Sequence, residues 1–340
     1  MVRSVNIARA LLGMALIGCG GGNKPASSPD EVVPLEDSAA NRSNPGAKAA
    51  GAEQASSPDV AEAMKAIEAK QFDKAKTLLT TAIQKNPKDA QAHYYMGVAL
   101  ASAGGDSAKA IESLEKAIAL DPKLVDAYVN LSALKLEAKD AAGALAAADK
   151  GLAIAKKQPD LALNRALALE ALGKKTEAVS AYADAVAARP EDCTLRVSYA
   201  QLLAQAAKKT EALGQISAIR ECKDTRLLAV AANVARQLGA SADCVATLDA
   251  ALKLEAHAAL FVRRGMCRED LKDVAGATQD YKQAIERDAK FPPAHYYYGL
   301  TLKASDKPKA CKELALAADL GGEQGIGPEA KKAKAELNCK

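Results

Sequence analysis

The chain has 340 residues, of which 78 are Ala, 22 Gly and 13 Pro, with 9 Tyr, 3 Phe and no Trp. Aromatic residues at 4% are too few for an ordinary large globular core, and so much alanine favours closely packed helices over a β-sandwich, a collagen-like chain or a wholly disordered one. The formal charge is +4, from 46 basic and 42 acidic residues, and this near balance gives no electrostatic reason to expect nucleic acid.

The N-terminus has the pattern of an export signal. Arg3 and Arg9 precede an apolar run over residues 10–18, which is shorter than the ~20 residues of a membrane-spanning helix. The run leads into Leu-Ile-Gly-Cys at residues 16–19, which resembles the lipobox of bacterial lipoproteins. That resemblance implies removal of residues 1–18 and lipidation of Cys19. The alternative is an ordinary signal peptide that happens to contain a cysteine.

The residues after Cys19 predict where and how the protein is held. Gly20 stands in place of the Asp that keeps such lipoproteins in the inner membrane, so the resemblance implies the outer membrane, with the folded part facing either the periplasm or the cell surface. Residues 19–57 are rich in Gly, Pro, Ser, Asn and Ala and have no helical or strand periodicity, which predicts a flexible, disordered tether.

From residue 58 onward the chain repeats itself at a period of about 34 residues. Three series of small residues carry the repeat, and 23 of their 24 members are Ala, Gly, Ser or Cys. The first series is Ala75, Ala110, Ala144, Ala178, Ala212, Cys244, Ala277 and Ala310. The second is Ala63, Gly97, Ser132, Ala166, Ala200, Ala232, Gly265 and Gly299. The third is Ala82, Ala117, Gly151, Ala185, Ile219, Ala251, Ala284 and Ala317.

Small residues at this spacing predict pairs of helices in close contact. Two helices approach closely only where their side chains are small, while larger side chains fill the remaining space. The side chains that would fill this space lie four positions after members of the first series. They are Leu79, Leu114, Tyr182, Ile216, Leu248, Tyr281 and Leu314. Asn86-Pro87, Asp121-Pro122 and Arg189-Pro190 would end second helices, because proline disfavours the helical conformation of the residue before it.

Residues 92–122, AHYYMGVALASAGGDSAKAIESLEKAIALDP, resemble the tetratricopeptide repeat. The resemblance extends over residues 58–322 and implies an all-α, right-handed solenoid of about eight helix pairs with a concave groove. The fifth repeat departs from the pattern at Ile219 and lacks its closing proline. Residues 323–340 predict a polar helix that caps the last repeat.

Six cysteines follow Cys19, and in an exported chain an even number suggests disulfides, although six allow fifteen complete pairings. Neighbouring helix ends and faces of a solenoid favour the pairs Cys193–Cys222, Cys244–Cys267 and Cys311–Cys339. The alternative is six small, buried free thiols at alanine-like positions.

No catalytic or metal-binding motif is present in the sequence, and no cofactor is expected. His93 and His295 occur in the matching strings AHYYMG and AHYYYG, which favours structural packing, and His257 has no partner at metal-ligand spacing. Paired carboxylates such as Glu269-Asp270 are typical of solvated helix faces.

The resemblance places partner binding on the first helix of each pair. The residues expected to bind a partner protein or peptide are Tyr94, Gln201, Arg226, Asn233, Arg236 and Tyr296. Val98, Val129, Leu163, Glu170 and Glu269 are expected to line the same groove. Arg226, Asn233 and Arg236 would project side by side and hold carboxylates or backbone carbonyls, and the tyrosines would offer flat apolar contacts. The alternative is a solvated helix face with incidental arginines.

The function that these features predict is a non-catalytic scaffold or assembly factor, anchored by lipid in the bacterial envelope, that holds a partner protein or peptide in its groove. The alternative from another class is an accessory or weakly catalytic factor acting on cell-wall glycan.

Overall fold

The computed structural model describes residues 57–104, 106–323 and 325–339, so the leader, Cys19 and nearly all of the tether lie outside the described residues. The described chain forms 17 α-helices and contains no strand. It divides into an N-terminal unit that ends at Glu191 and a C-terminal unit that begins at Asp192.

The N-terminal unit contains eight helices. They are α1 (Pro58–Glu68), α2 (Phe72–Lys85), α3 (Ala90–Ser102), α4 (Ser107–Leu120), α5 (Val125–Glu137), α6 (Ala141–Ile154), α7 (Pro159–Ala171) and α8 (Lys175–Ala188). The C-terminal unit contains α9 (Cys193–Gln205), α10 (Lys209–Ile219), α11 (Thr225–Gln237), α12 (Ser241–Leu254), α13 (Ala258–Asp270), α14 (Val274–Arg287), α15 (Pro292–Thr301), α16 (Lys307–Leu320) and α17 (Gly327–Glu336).

Each unit is a row of four helix hairpins. An odd-numbered helix packs on the even-numbered helix that follows it, and within a unit that even-numbered helix also packs on the first helix of the next hairpin. Odd-numbered helices of successive hairpins also contact each other in the pairs α1–α3, α3–α5, α5–α7, α9–α11 and α13–α15. The described fold is therefore the all-α array of repeated helix pairs that the sequence predicts.

The turn inside each of the first seven hairpins contains one residue in the left-handed conformation. These residues have φ between 57° and 71° and are Lys70, Gly104, Lys139, Gly173, Ala207, Gly239 and Lys272. In the fifth hairpin the Lys208 N–H donates a hydrogen bond to the Leu203 carbonyl at 2.9 Å, closing the end of α9. This hydrogen bond around a left-handed residue is the Schellman ending of a helix, which turns the chain sharply into the second helix.

The three series of small residues are buried at the helix contacts, as the repeat pattern predicts. Every alanine of the first series is 0% exposed, and Cys244 is 1% exposed. A Cβ atom added at Gly97 would lie 2.7 Å from Leu114 Cγ, and one added at Gly265 would lie 2.5 Å from Tyr281 Cε1. The small residues thus make room for the large ones predicted to fill the space between helices.

The fifth hairpin is the irregular one, as its sequence indicates. Its second helix, α10, has 11 residues. The even-numbered helices on either side, α8 and α12, have 14 each. Ile219 ends α10 and is fully buried. Elsewhere α2, α4 and α8 end directly before Asn86, Asp121 and Arg189, where proline follows.

Three disulfides join the cysteine pairs that the sequence predicts, and all three lie in the C-terminal unit. The Cα atoms are 6.2 Å apart for Cys193–Cys222, 6.1 Å for Cys244–Cys267 and 5.6 Å for Cys311–Cys339. Two cysteines differ from their expected positions, because Cys222 and Cys339 follow the ends of α10 and α17 and do not belong to those helices. The disulfides thus tie a loop to a helix in two cases and two helices to each other in the third.

The last helix, α17, packs on α16 and covers the end of the C-terminal unit. Ala330 of α17 is fully buried and forms a cluster with Ala317 and Ala318 of α16, against which Tyr296 also packs. Pro328 lies in the first turn of the helix, a position that suits proline. Of the helices in the described ranges, none has the length and apolar character needed to cross a membrane.

Candidate protein-interaction face

Tyr94, which was expected to offer an exposed ring, is instead part of the core of the N-terminal unit. Its side chain is 4% exposed, and its phenol oxygen accepts a hydrogen bond from Asn130 Nδ2 of α5 at 3.3 Å. Burial, followed by the nearby Asp126 carboxylate, raises the pKa of Tyr94. The expectation of exposure was wrong because this side of α3 meets α5.

The apolar positions expected to line the groove in the N-terminal unit are also buried. Val98, Val129 and Leu163 are 3%, 4% and 2% exposed. The odd-numbered helices that carry these residues pack against one another, so that their apolar side chains fill the space between them. These residues therefore contribute to stability and do not form an open apolar surface.

Glu170 of α7 carries a half-buried carboxylate. It accepts a hydrogen bond from the Tyr182 hydroxyl of α8 at 2.7 Å. Burial raises the pKa of Glu170, and the hydrogen bond from Tyr182 opposes that shift. Glu170 thus links the two helices of its hairpin.

In the C-terminal unit, α11 carries exposed polar residues at its N-terminal end. Arg226 has a side chain 47% exposed, and its Nε lies 3.7 Å from Asp224 Oδ1. Asp224 caps α11 by accepting hydrogen bonds from the Arg226 and Leu227 backbone N–H groups. Gln201 of α9 is half-buried, so it too keeps part of its side chain accessible.

Arg236, which was expected to project beside Arg226 and Asn233, contacts an acidic residue of α13. Its Nε donates a hydrogen bond to Asp270 Oδ2 at 2.7 Å, which joins the C-terminal ends of α11 and α13. The reason is that successive first helices bring the end of α13 within reach of Arg236. The guanidinium group is therefore partly engaged within the chain.

Residues of α11, α12 and α13 line a small depression, which we call the α11–α13 face. Its lining residues are Ala229, Ala232, Asn233, Arg236, Cys244, Leu248, Arg263, Met266 and Cys267. The Cys244–Cys267 disulfide joins α12 to α13 among these residues. Ala229, Asn233, Arg236 and Arg263 are half-buried, whereas the other five lining residues are buried, so the accessible part of this face consists of polar groups and one alanine.

Arg263 was missed by the sequence analysis, which assigned only Glu269 of α13 to the groove. The available signal was the pair Arg263-Arg264 in the middle of an otherwise apolar stretch. The two arginines diverge, because Arg264 contacts Asp249 and Asp280 at 2.6 Å each. Asp280 is 1% exposed and also binds Arg268, so Arg264 belongs to a buried ionic network.

The charge of α11 and α13 is predominantly positive. Together these helices contain five arginines and two acidic residues, Glu269 and Asp270, both at the end of α13. Burial raises the pKa of Glu269, with the neighbouring Asp270 as a further cause. Apart from these two residues the charged side chains of α11 and α13 are all arginines, of which Arg264 and Arg268 are paired with Asp280.

Tyr296 of α15 is half-buried and lies against the terminal helices. Its ring packs on the cluster of Ala317, Ala318 and Ala330 and meets the Tyr297 ring edge-on at a centroid distance of 5.1 Å. Burial, then the nearby carboxylates of α17, raises the pKa of Tyr296. Part of the ring serves to hold α16 and α17, which the sequence did not indicate.

The two histidines of the repeated strings are buried, in keeping with a packing role. His93 Nε2 lies 3.1 Å from the Pro87 carbonyl oxygen. His295 places Nδ1 2.7 Å from Glu313 Oε2 and Nε2 2.9 Å from the Ala289 carbonyl oxygen. Across the residues that the structure describes, no cluster of three or more His, Cys, Asp or Glu could hold a metal ion.

Tandem helix hairpins with a recurring small-residue contact define a helical-repeat protein, a class whose members generally bind other proteins. A family model described as the tetratricopeptide repeat matches residues 60–124 and 163–224. The chain therefore contains tetratricopeptide repeats in these two ranges.

Several solved structures resemble the chain. A tetratricopeptide repeat protein from Parabacteroides merdae ATCC 43184 is 17% identical, with 72% of this chain and 97% of that chain covered and a TM-score of 0.48. YrrB, described as a TPR protein with an unusual peptide-binding site, is 20% identical over 57% of this chain and 97% of its own, with a TM-score of 0.45. MamA from Desulfovibrio magneticus RS-1 is 20% identical over 48% and 92%, with a TM-score of 0.45. No curated protein sequence matches significantly.

Proposed function

We propose that this protein is a lipid-anchored, non-catalytic scaffold of the bacterial envelope, held at the outer membrane through Cys19, and that the C-terminal unit binds a partner protein or peptide. The observation that carries the proposal is the α11–α13 face, where the half-buried Asn233, Arg236 and Arg263 lie beside the half-buried Ala229. Guanidinium and amide groups beside small apolar side chains suit a peptide that has carboxylates and aliphatic residues.

The disulfides support the envelope location independently of the leader. Stable structural disulfides are typical of exported proteins and rare in the cytosol, where thiols are kept reduced. The C-terminal unit has three such pairs. An exported protein tethered by its N-terminus is consistent with both features.

The membrane anchor is tested by metabolic labelling with a palmitate analogue in a bacterial host. We expect label on the wild type and none on Cys19→Ala, because the acyl chains need the Cys19 thiol and amine. Two or more acyl chains hold a protein stably at a membrane, so the wild type should also fractionate with the outer membrane. Equal labelling of both proteins would contradict the anchor.

Partner binding is tested by affinity capture from the envelope, using the lipidated, tagged protein. Arg226→Glu combined with Asn233→Ala reverses one exposed charge and removes one amide on α11. Arg236 is left intact, because a glutamate there would face Asp270 and perturb the contact between α11 and α13. We expect the double variant to recover at least fivefold less of the partner than the wild type does.

The matched control is Lys253→Glu, a charge reversal on the exposed side of α12. It should recover the partner as the wild type does. Circular dichroism and thermal melting establish that all three proteins are folded. Undiminished recovery by a folded Arg226→Glu/Asn233→Ala variant would remove α11 from the binding site. The glycan-processing alternative has no observation of its own among the described residues and is not proposed.

A further inference from the structure

The Cys311–Cys339 disulfide fastens the last helix, α17, to the helix before it. Cys311 lies in the second turn of α16, and Cys339 follows Glu336, the last residue of α17, by three positions. The Cys339 N–H donates a hydrogen bond to the Lys334 carbonyl at 3.2 Å, around the left-handed Asn338. Cys339 is therefore fixed to the end of α17, and the disulfide holds that end against α16.

Apart from this disulfide, α17 is held by small side chains. Three of its ten residues are buried, and they are Gly327, Ala330 and Ala333. In the terminal cluster Ala330 meets two further alanines, Ala317 and Ala318 of α16. Because an isolated helix shorter than about 12–15 residues is marginal in water, α17 depends on its attachment to α16.

The disulfides of the C-terminal unit differ in how accessible they are. Cys244 and Cys267 are each 1% exposed, so their sulfur atoms are covered while α12 and α13 are packed. Cys311 and Cys339 are both half-buried, and each keeps part of its surface in contact with solvent. A thiol in solution can therefore attack Cys311–Cys339 in the folded protein, whereas Cys244–Cys267 must first be uncovered.

The Cys193–Cys222 disulfide lies where other contacts hold the same elements. Cys222 is 7% exposed, and the disulfide joins the start of α9 to the residues after α10. Helices α9 and α10 pack on each other and on the hairpin of α11 and α12, so they keep these neighbours when the disulfide is absent. Helix α17 instead packs mainly on α16 and only slightly on α15.

We propose that Cys311–Cys339 is a redox latch, which a dithiol reductant opens in the folded protein and which thereby releases α17 from α16. One thiolate of the dithiol attacks either cysteine sulfur, the bond between Cys311 and Cys339 breaks, and a mixed disulfide forms. The second thiolate of the dithiol then attacks the mixed disulfide. Two electrons and two protons thus pass to the two cysteines, which become thiols, and the reductant leaves as a disulfide.

Opening the latch uncovers the end of the C-terminal unit. Ala317, Ala318 and the half-buried Tyr296 ring pack against Ala330, so the departure of α17 exposes them to solvent. Residues 321–326 still connect α17 to α16, and oxidation of the same two cysteines returns the helix to its place. The latch does not depend on what the α11–α13 face binds.

Hydrogen exchange of the oxidised full-length protein tests whether the disulfide holds α17. We expect the amides of residues 331–336 to exchange at least tenfold faster in Cys311→Ala/Cys339→Ala than in the wild type, with exchange in α9–α13 unchanged. The matched control, Cys193→Ala/Cys222→Ala, removes a disulfide of nearly equal span, 29 residues against 28, and should leave α17 as in the wild type. Equal protection of α17 in all three proteins would overturn the proposal.

A second measurement uses the wild type alone and tests whether the latch opens in the folded protein. The oxidised protein is incubated with dithiothreitol without denaturant, and thiols alkylated at successive times are located by peptide mapping. We expect free Cys311 and Cys339 to appear at least tenfold faster than free Cys244 and Cys267, with exchange in α17 rising over the same period. Appearance of all four thiols at one rate would mean that reduction follows general unfolding of the unit, and it would overturn the proposal.

Discussion

Glu170 shows how a polar residue of a first helix serves packing in this protein. Its carboxylate reaches across the hairpin to the Tyr182 hydroxyl, and that ring fills the space beside small residues. Burial raises the pKa of Glu170 above its ordinary value of 4.5, so the folded chain binds this proton more tightly than the unfolded chain does. The contribution of Glu170 to stability is therefore fully present below the ordinary pKa and is lost as the pH rises through the folded pKa.

Glu170→Gln should remove this part of the pH dependence. The amide stays neutral and its oxygen can still accept the hydrogen bond from Tyr182, so we expect stability to fall less between pH 4.5 and neutral pH than in the wild type. Urea unfolding of both proteins across this pH range measures the free energy of unfolding. Glu112→Gln, an exposed carboxylate on α4, loses the same charge and serves as the control. Parallel pH profiles for the wild type and Glu170→Gln would show that this carboxyl does not titrate differently on folding.

At the scale of the helix, close approach is decided by glycine and alanine at particular positions. A Cβ atom at Gly265 would lie 2.5 Å from the Tyr281 ring, whereas one at Gly214 of α10 meets nothing within 4 Å. The same substitution at the two glycines therefore tests packing separately from helix propensity.

We expect Gly265→Ala to destabilise the protein by roughly 1–3 kcal/mol, because the Tyr281 ring is buried and must move. Gly214→Ala should stabilise it by about 0.5–1 kcal/mol, since alanine favours the helix and fits the open space. Chemical denaturation of the two variants gives both values. Changes in the free energy of unfolding of similar size and the same sign in the two variants would contradict the packing argument.

The left-handed residues inside the hairpins give a second test at this scale. Ala207 has φ of 57° and Gly173 has φ of 71° in the equivalent turn. Because alanine is strained in this conformation, we expect Ala207→Gly to stabilise the protein by about 0.5–1 kcal/mol and Gly173→Ala to destabilise it by roughly 1–2 kcal/mol. Melting temperatures should move in opposite directions. Stabilisation by Gly173→Ala would show that the turn adopts another conformation.

At the scale of the whole molecule, the two units differ in how they are held together. The N-terminal unit contains no cysteine in its described residues, whereas the C-terminal unit has three disulfides that link residues 29, 23 and 28 positions apart. Repeat proteins owe their stability to neighbouring hairpins, so a cross-link acts mainly on the hairpins that it joins.

Reduction should therefore weaken one unit selectively. Each disulfide contributes about 3 kcal/mol in the chain-entropy model, so we expect dithiothreitol to increase hydrogen exchange and proteolysis in α9–α17 well before α1–α7. The N-terminal unit of the same molecule is the internal control. Cys193→Ala/Cys222→Ala should confine the change to α9–α11. Equal loss of protection in both units would contradict this assignment.

Much of this architecture was predictable because it depends on local pattern. The period of the small residues predicts helix pairs at regular intervals, and proline after Asn86, Asp121 and Arg189 predicts where second helices end. The cysteine pairs were also predictable from the sequence. Helix ends and faces that are near in sequence lie close together in a row of hairpins, and this proximity selects among the possible pairings.

The orientation of individual side chains was decided only by tertiary contacts. Tyr94 and Arg236 both lie on the first-helix face that the repeat pattern assigns to a partner, yet one is buried against Asn130 and the other is bound to Asp270. A helical period tells which side of its own helix a residue occupies, but not how closely the next helix approaches that side. Burial and ion pairing depend on that distance, which is set by packing between residues more than thirty positions apart.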